Sequence, residues 1–163
     1  MIDTREKLVT ACRDAGVLFS IDAVWEGKVP QTVRYQCENP HREFDIFVAH
    51  PEGFPFPNEL LILWSTNGES VTGLLADQKK YIQYWYEDDP EEFTIIGTTY
   101  QQFACAIVGH VLGFKQPSDE LTQELAEFFH IRYLDEVKEF VATDPGWEEG
   151  IAAFISKIES NAP

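Results

Sequence analysis

The spacing of apolar positions predicts a helix at the start of the chain. Apolar residues recur at helical intervals from Leu8 to Cys12, as on the buried face of an amphipathic helix. Asp3 or Thr4 is placed to cap its first turn, and Gly16 can supply the left-handed residue that ends it.

From Val17 to Gly97 the pattern is typical of strands. Segments rich in β-branched and aromatic residues are separated there by turn residues, which predicts an antiparallel sheet. Three of the predicted strands lie between Val17 and His50, in VLFSIDAVW, VPQTVRYQC and EFDIFVAH. The later ones are VTGLLAD, YIQYWYE and FTIIG.

The segment LLILW, residues 60–64, suits either a buried strand or a buried helical turn, because five consecutive apolar residues carry no period. Pro57 can occupy a first helical turn, and Asn67-Gly68 can end a helix with left-handed residues. A hairpin requires strands that pair directly beside the turn, whereas Ser65-Thr66 and Glu69-Ser70 leave polar residues on both sides of it. The flanking residues therefore favour a short helix closed by Asn67-Gly68.

The remainder of the chain has helical period. Thr98 and Gln101 have the spacing of a capping box, and the apolar stripe that follows continues to Gly113. Beyond Ser118 the stripe slips near His130, which leaves open whether one bent helix or two helices follow. We expect these C-terminal helices to dock as a layer through Leu121, Leu125, Phe128, Trp147, Ile151 and Phe154.

Together these elements predict a single α+β domain. Residues 1–113 would form a core, mainly an antiparallel sheet with packed helices, and residues 114–163 a helical C-terminal extension. A composition of 44% hydrophobic and 13% aromatic residues supplies enough apolar surface for such a core.

Within this order of elements, FPNELLILWSTNG resembles the signature of the SUKH superfamily, in which a proline precedes a short leucine-rich helix closed by Asn-Gly or Asp-Gly. IIG followed by TTYQQFACAIVGHVL is similar to the family's short strand and Ser/Thr-capped helix with a buried Phe. The resemblance covers Phe54 to Leu112; the strand-like runs before it and the helices after Ser118 depart from the family pattern. It implies an α+β fold and a non-enzymatic immunity protein that binds and neutralises a co-encoded polymorphic toxin, often a nuclease.

Charge changes the picture of possible partners. The chain has 28 acidic and 12 basic residues, a formal net charge of -16. Such a field repels nucleic acid and anionic membranes and accelerates encounters with basic proteins. The three cysteines form no CxxC pair, and the N-terminus lacks a long apolar run, so we expect a soluble protein of a reducing cytoplasm.

Catalytic motifs are absent from the sequence. We therefore expect a protein that is not an enzyme and that has no metal site and no cofactor. The four histidines show no metal-ligand spacing, and Cys12 and Cys105 fall on apolar stripes. Cys37, beside Glu38, has no assigned role. The alternatives to an immunity protein are an acidic regulatory scaffold or, with less support, a hydrolase that uses Asp45 or Asp77.

The strongest candidate for a binding site is YIQYWYE followed by the acidic turn of residues 87–92. Alternation places Tyr81, Trp85 and Glu87 on one face of the predicted strand, so an aromatic face can remain exposed beside carboxylates. Aromatic anchors surrounded by charges are typical of a site for a basic protein. The predicted partner-binding residues are Tyr81, Trp85, Glu87, Asp88, Asp89, Glu91 and Glu92.

Overall fold

A computed structural model describes residues 2–50, 60–87, 92–143 and 146–159, without the side chain of Trp147. Its helices are α1 (Arg5–Asp14), α2 (Ile21–Trp25), α3 (His41–Ala49), α4 (Tyr100–Lys115), α5 (Asp119–Phe128), α6 (Leu134–Thr143) and α7 (Trp147–Ile155), with a 3₁₀ helix at Gln31–Val33. Its strands are β1 (Leu60–Thr66), β2 (Ser70–Leu75), β3 (Lys80–Trp85) and β4 (Thr94–Gly97). The predicted α+β class is confirmed.

The three strands predicted between Val17 and His50 are wrong, because α2, the 3₁₀ helix and α3 occupy this region. Local capping outweighs the β propensity of the side chains. The Ser20 hydroxyl accepts a hydrogen bond from the Ala23 N–H at 3.1 Å, and the Asn39 carboxamide oxygen accepts one from the His41 N–H at 2.8 Å. The predicted helix at the N-terminus is confirmed as α1, with Thr4 as its cap and Gly16 at a φ of 85°.

The helix predicted at LLILW is also wrong, since this segment is strand β1 and pairs antiparallel with β2. Asn67 and Gly68 do have positive φ, 52° and 65° respectively.

 The positive φ predicted here is therefore confirmed, but it serves a hairpin turn, in which the Glu69 N–H donates to the Thr66 carbonyl at 3.0 Å.

Three of the polar residues beside this turn, Ser65, Thr66 and Ser70, belong to the strands. Ser65 pairs with Val71, and Ser65 and Ser70 are 2% and 0% exposed. The Ser70 hydroxyl accepts a hydrogen bond from the Gln83 side chain at 3.3 Å, so it is buried with a partner. The part of the SUKH resemblance that required a short helix at LLILW is therefore lost.

The sheet has the order β1-β2-β3-β4 and is antiparallel throughout. One face, which includes Leu61 and Leu74, belongs to the main core with Phe103 of α4. The other face, which includes Ile62 and Ile82, packs with Phe47 of α3. Both faces are covered, which explains why LLILW is apolar without alternation.

Helix α4 is capped by Thr99, one residue later than the predicted cap Thr98. The Thr99 hydroxyl accepts the Gln102 N–H at 3.2 Å, and the Gln102 carboxamide oxygen accepts the Thr98 N–H at 3.0 Å. Gln101 is instead buried, and its carboxamide donates to the His130 carbonyl at 3.0 Å. The helix continues past Gly113 to Lys115.

Two separate helices, α5 and α6, precede α7 in the C-terminal segment. His130 lies between α5 and α6 and has a φ of 49°. Leu125 is buried in the same core as Phe103, which confirms that this layer docks on the rest of the domain. Phe128, Ile151 and Phe154 pack against that core, Leu121 is half-buried, and the side chain of Trp147 lies outside the described residues. Across the described ranges, no helix has both the length and the apolar character needed to cross a membrane.

Candidate protein-binding site

Tyr81, one of the predicted partner-binding residues, belongs to the core. Its side chain is 3% exposed, and its ring stacks on Phe103 with centroids 4.4 Å apart. Burial raises the pKa of its hydroxyl to about 12. The assignment of Tyr81 to a binding surface is therefore wrong, because the face of β3 that carries it is covered by α4.

Trp85 and Tyr86 are exposed where β3 ends. Trp85 pairs with Ser70 at the start of β2, and the Tyr86 N–H donates to the Glu69 carbonyl at 2.9 Å. Their side chains are 37% and 36% exposed. Successive residues of a strand point to opposite faces, so the two aromatic rings flank this end of the sheet.

Several carboxylates belong to the segments that meet at this end of the sheet. Glu87 follows Tyr86, and Glu92 precedes β4, whose Thr94 pairs with Gln83. The hairpin adds Glu69 and also Glu38, whose carboxylate accepts the Asn67 N–H at 2.9 Å. We call Trp85, Tyr86, Glu38, Glu69, Glu87 and Glu92 the acidic sheet end. The predicted residues Asp88, Asp89 and Glu91 lie outside the described residues.

A shallow groove of about 350 Å³ lies between α3 and the hairpin. Arg42, Glu43, Ile46 and His50 line one side of it. Gly68, Tyr84 and Tyr86 line the other side.

The groove combines aromatic walls with a buried charge. The rings of Tyr84 and Tyr86 meet edge to face, with centroids 6.0 Å apart. Glu43 is 6% exposed, whereas Ile46 is 43% exposed. Burial raises the pKa of the Tyr86 hydroxyl, and the Glu43 carboxylate raises it further, while Arg42 opposes the shift.

The α3 side of this groove was not predicted from the sequence, because residues 43–50 have the composition of a strand and were expected to form one. In a helix, residues four apart share a face, so Arg42, Ile46 and His50 would have been grouped by a helical assignment. The Asn39-Pro40 pair, which precedes the first turn of α3, was the signal available for it.

The cysteines and the carboxylates considered for catalysis lie elsewhere. Cys12, Cys37 and Cys105 are buried, and burial raises the pKa of each thiol, to about 12 for Cys12 and Cys105. Asp45 is exposed and lies 3.4 Å from the His41 ring nitrogen, and Asp77 is exposed in the turn between β2 and β3. Neither lines the groove. Among the described residues, no group of three His, Cys, Asp or Glu side chains could hold a metal ion.

Comparison of the chain with models of protein families, with curated proteins and with solved structures gives no match.

Proposed function

We propose that this chain is an immunity protein, which binds a basic toxin domain stoichiometrically and neutralises it. The observation that carries the proposal is the acidic sheet end, where Trp85 and Tyr86 are exposed and Glu87 follows them directly in the chain. Large aromatic side chains are the usual anchors of protein interfaces, and the surrounding charges select a basic partner.

The net charge of the chain supports the same class of partner. A formal charge of -16 attracts cationic proteins over distances longer than a contact, and it opposes binding to nucleic acid. The SUKH resemblance retains one element in support, the strand that ends at Gly97 followed by the Thr99-capped helix with buried Phe103.

A protection assay tests the proposal. Cells that express the product of the adjacent gene should survive when this chain is co-expressed. They should die when the chain carries Trp85→Ala together with replacement of Glu87, Asp88, Asp89, Glu91 and Glu92 by Gln or Asn. A matched control replaces five exposed carboxylates of α5 and α6, Glu120, Glu124, Glu127, Asp135 and Glu136, and should still protect.

Two results would reject the proposal. One is an adjacent gene that encodes no toxin, and the other is protection by the altered chain equal to that of the parent. Co-purification of an endogenous cationic protein, in place of the neighbouring product, would favour the regulatory scaffold instead.

A further inference from the structure

We infer that the groove between α3 and the hairpin receives one arginine side chain of the basic partner. This assignment rests on the proposed function and names the chemical group that the partner would insert beside the acidic sheet end.

The size and the walls of the groove suit a guanidinium group. A volume of about 350 Å³ accommodates the end of one long side chain. Tyr84 and Tyr86 supply aromatic rings, and Ile46 supplies an apolar wall. A planar guanidinium stacks on aromatic rings more readily than a lysine ammonium does.

Charge within and around the groove favours a cation. Glu43 lines the groove and is 6% exposed, so its interaction with an entering charge is weakly screened by water. Glu69 and Glu87, which are the chain neighbours of the groove residues Gly68 and Tyr86, are exposed and add to the negative charge of this part of the surface. A bidentate arginine–carboxylate pair is among the strongest polar contacts between proteins.

Arg42 is the opposing charge in this site. It lines the groove, and its side chain is exposed, so it can move aside when another cation enters. Removal of Arg42 should therefore tighten the binding of an arginine, whereas neutralisation of Glu43 should weaken it. Substitutions of Arg42 and Glu43, which are consecutive in the chain, are therefore expected to change the affinity for an arginine in opposite directions.

The experiment is a titration followed by amide NMR shifts, with acetyl-Gly-Arg-Gly-amide as the probe and the citrulline peptide as its uncharged control. The arginine peptide should shift the amides of Gly68 and Tyr86 and saturate. Citrulline or Glu43→Gln should weaken binding about tenfold, the effect of losing one charge pair. Arg42→Gln should strengthen it. If Glu43→Gln does not fold, Tyr86→Leu at the exposed wall replaces it and should also weaken binding.

Equal binding of the two peptides would overturn the inference, and so would shifts spread over the acidic surface without saturation. The peptide titration requires no toxin. Its failure together with successful protection would reject only the arginine site, whereas failed protection with specific peptide binding would reject the proposed immunity function.

Discussion

Tyr81 stacks on Phe103, with ring centroids 4.4 Å apart and an angle of 17° between the planes. This contact joins β3 to α4 in the main core, where Phe103 is fully buried. The two ends of the YIQYWYE segment therefore differ. Tyr81 stabilises the fold, whereas Trp85, at the other end of the strand, is exposed.

Tyr81→Ala should therefore lower the free energy of unfolding by about 3 to 5 kcal/mol, the usual cost of truncating a large buried aromatic residue. Urea denaturation measures this change. Tyr81→Phe, which keeps the ring, is the control and should cost far less. A stability loss below about 1 kcal/mol for Tyr81→Ala would contradict the placement of this ring in the core.

Gly68→Ala should destabilise the hairpin by about 1 to 2 kcal/mol, because an L residue with positive φ is strained. A Cβ at Gly68 would meet no atom within 4 Å, so the cost is conformational rather than steric. Asn67→Gly is the matched control and should be close to neutral, since Asn67 already has a φ of 52°. Equal urea midpoints for Gly68→Ala and the parent would argue against this turn.

Stability should decrease at alkaline pH. Burial raises the pKa of the Cys12 thiol from 9.0 to about 12, so the folded state keeps a proton that the unfolded chain releases. The resulting stabilisation is complete below pH 9.0 and is lost as the pH rises towards 12. Urea denaturation across this pH range should show the decrease in the free energy of unfolding. The free energy of unfolding of Cys12→Ala should fall less steeply with pH. An identical slope in both chains would contradict the burial of this thiol.

The sequence predicted the class of fold and the helices at both ends, because their apolar stripes and caps are local signals. It failed between Val17 and His50, where Ser20 caps α2 and the Asn39 side chain accepts the His41 N–H at the start of α3, although these helices contain residues with high β propensity. It also failed at LLILW, because burial of the sheet on both faces removes the alternation that marks a strand.

The candidate site was predictable only in part. Trp85 and Glu87 follow from the chain itself, since they are adjacent to the end of β3. Glu38 and the α3 side of the groove come from distant segments that the fold brings to the hairpin, and no local pattern places them there.

Trp85→Ala should mainly raise the dissociation rate of the partner complex, by the equivalent of about 2 kcal/mol or more, because buried aromatic anchors determine complex lifetime. Phe114→Ala on α4, which removes another exposed aromatic side chain, is the control and should leave that rate unchanged. Surface plasmon resonance with the immobilised partner measures both rates. Equal dissociation rates for Trp85→Ala and the parent would remove Trp85 from the interface.

The association rate of the purified partner, measured by stopped flow at low and at physiological ionic strength, tests the central claim most directly. The parent should associate more slowly as salt rises, because screening shortens the reach of charges to about 8 Å at physiological ionic strength. Replacement of Glu87, Asp88, Asp89, Glu91 and Glu92 should slow association at low salt more than the matched five-residue change on α5 and α6. Equal rates for these two variants would contradict a binding surface at the acidic sheet end.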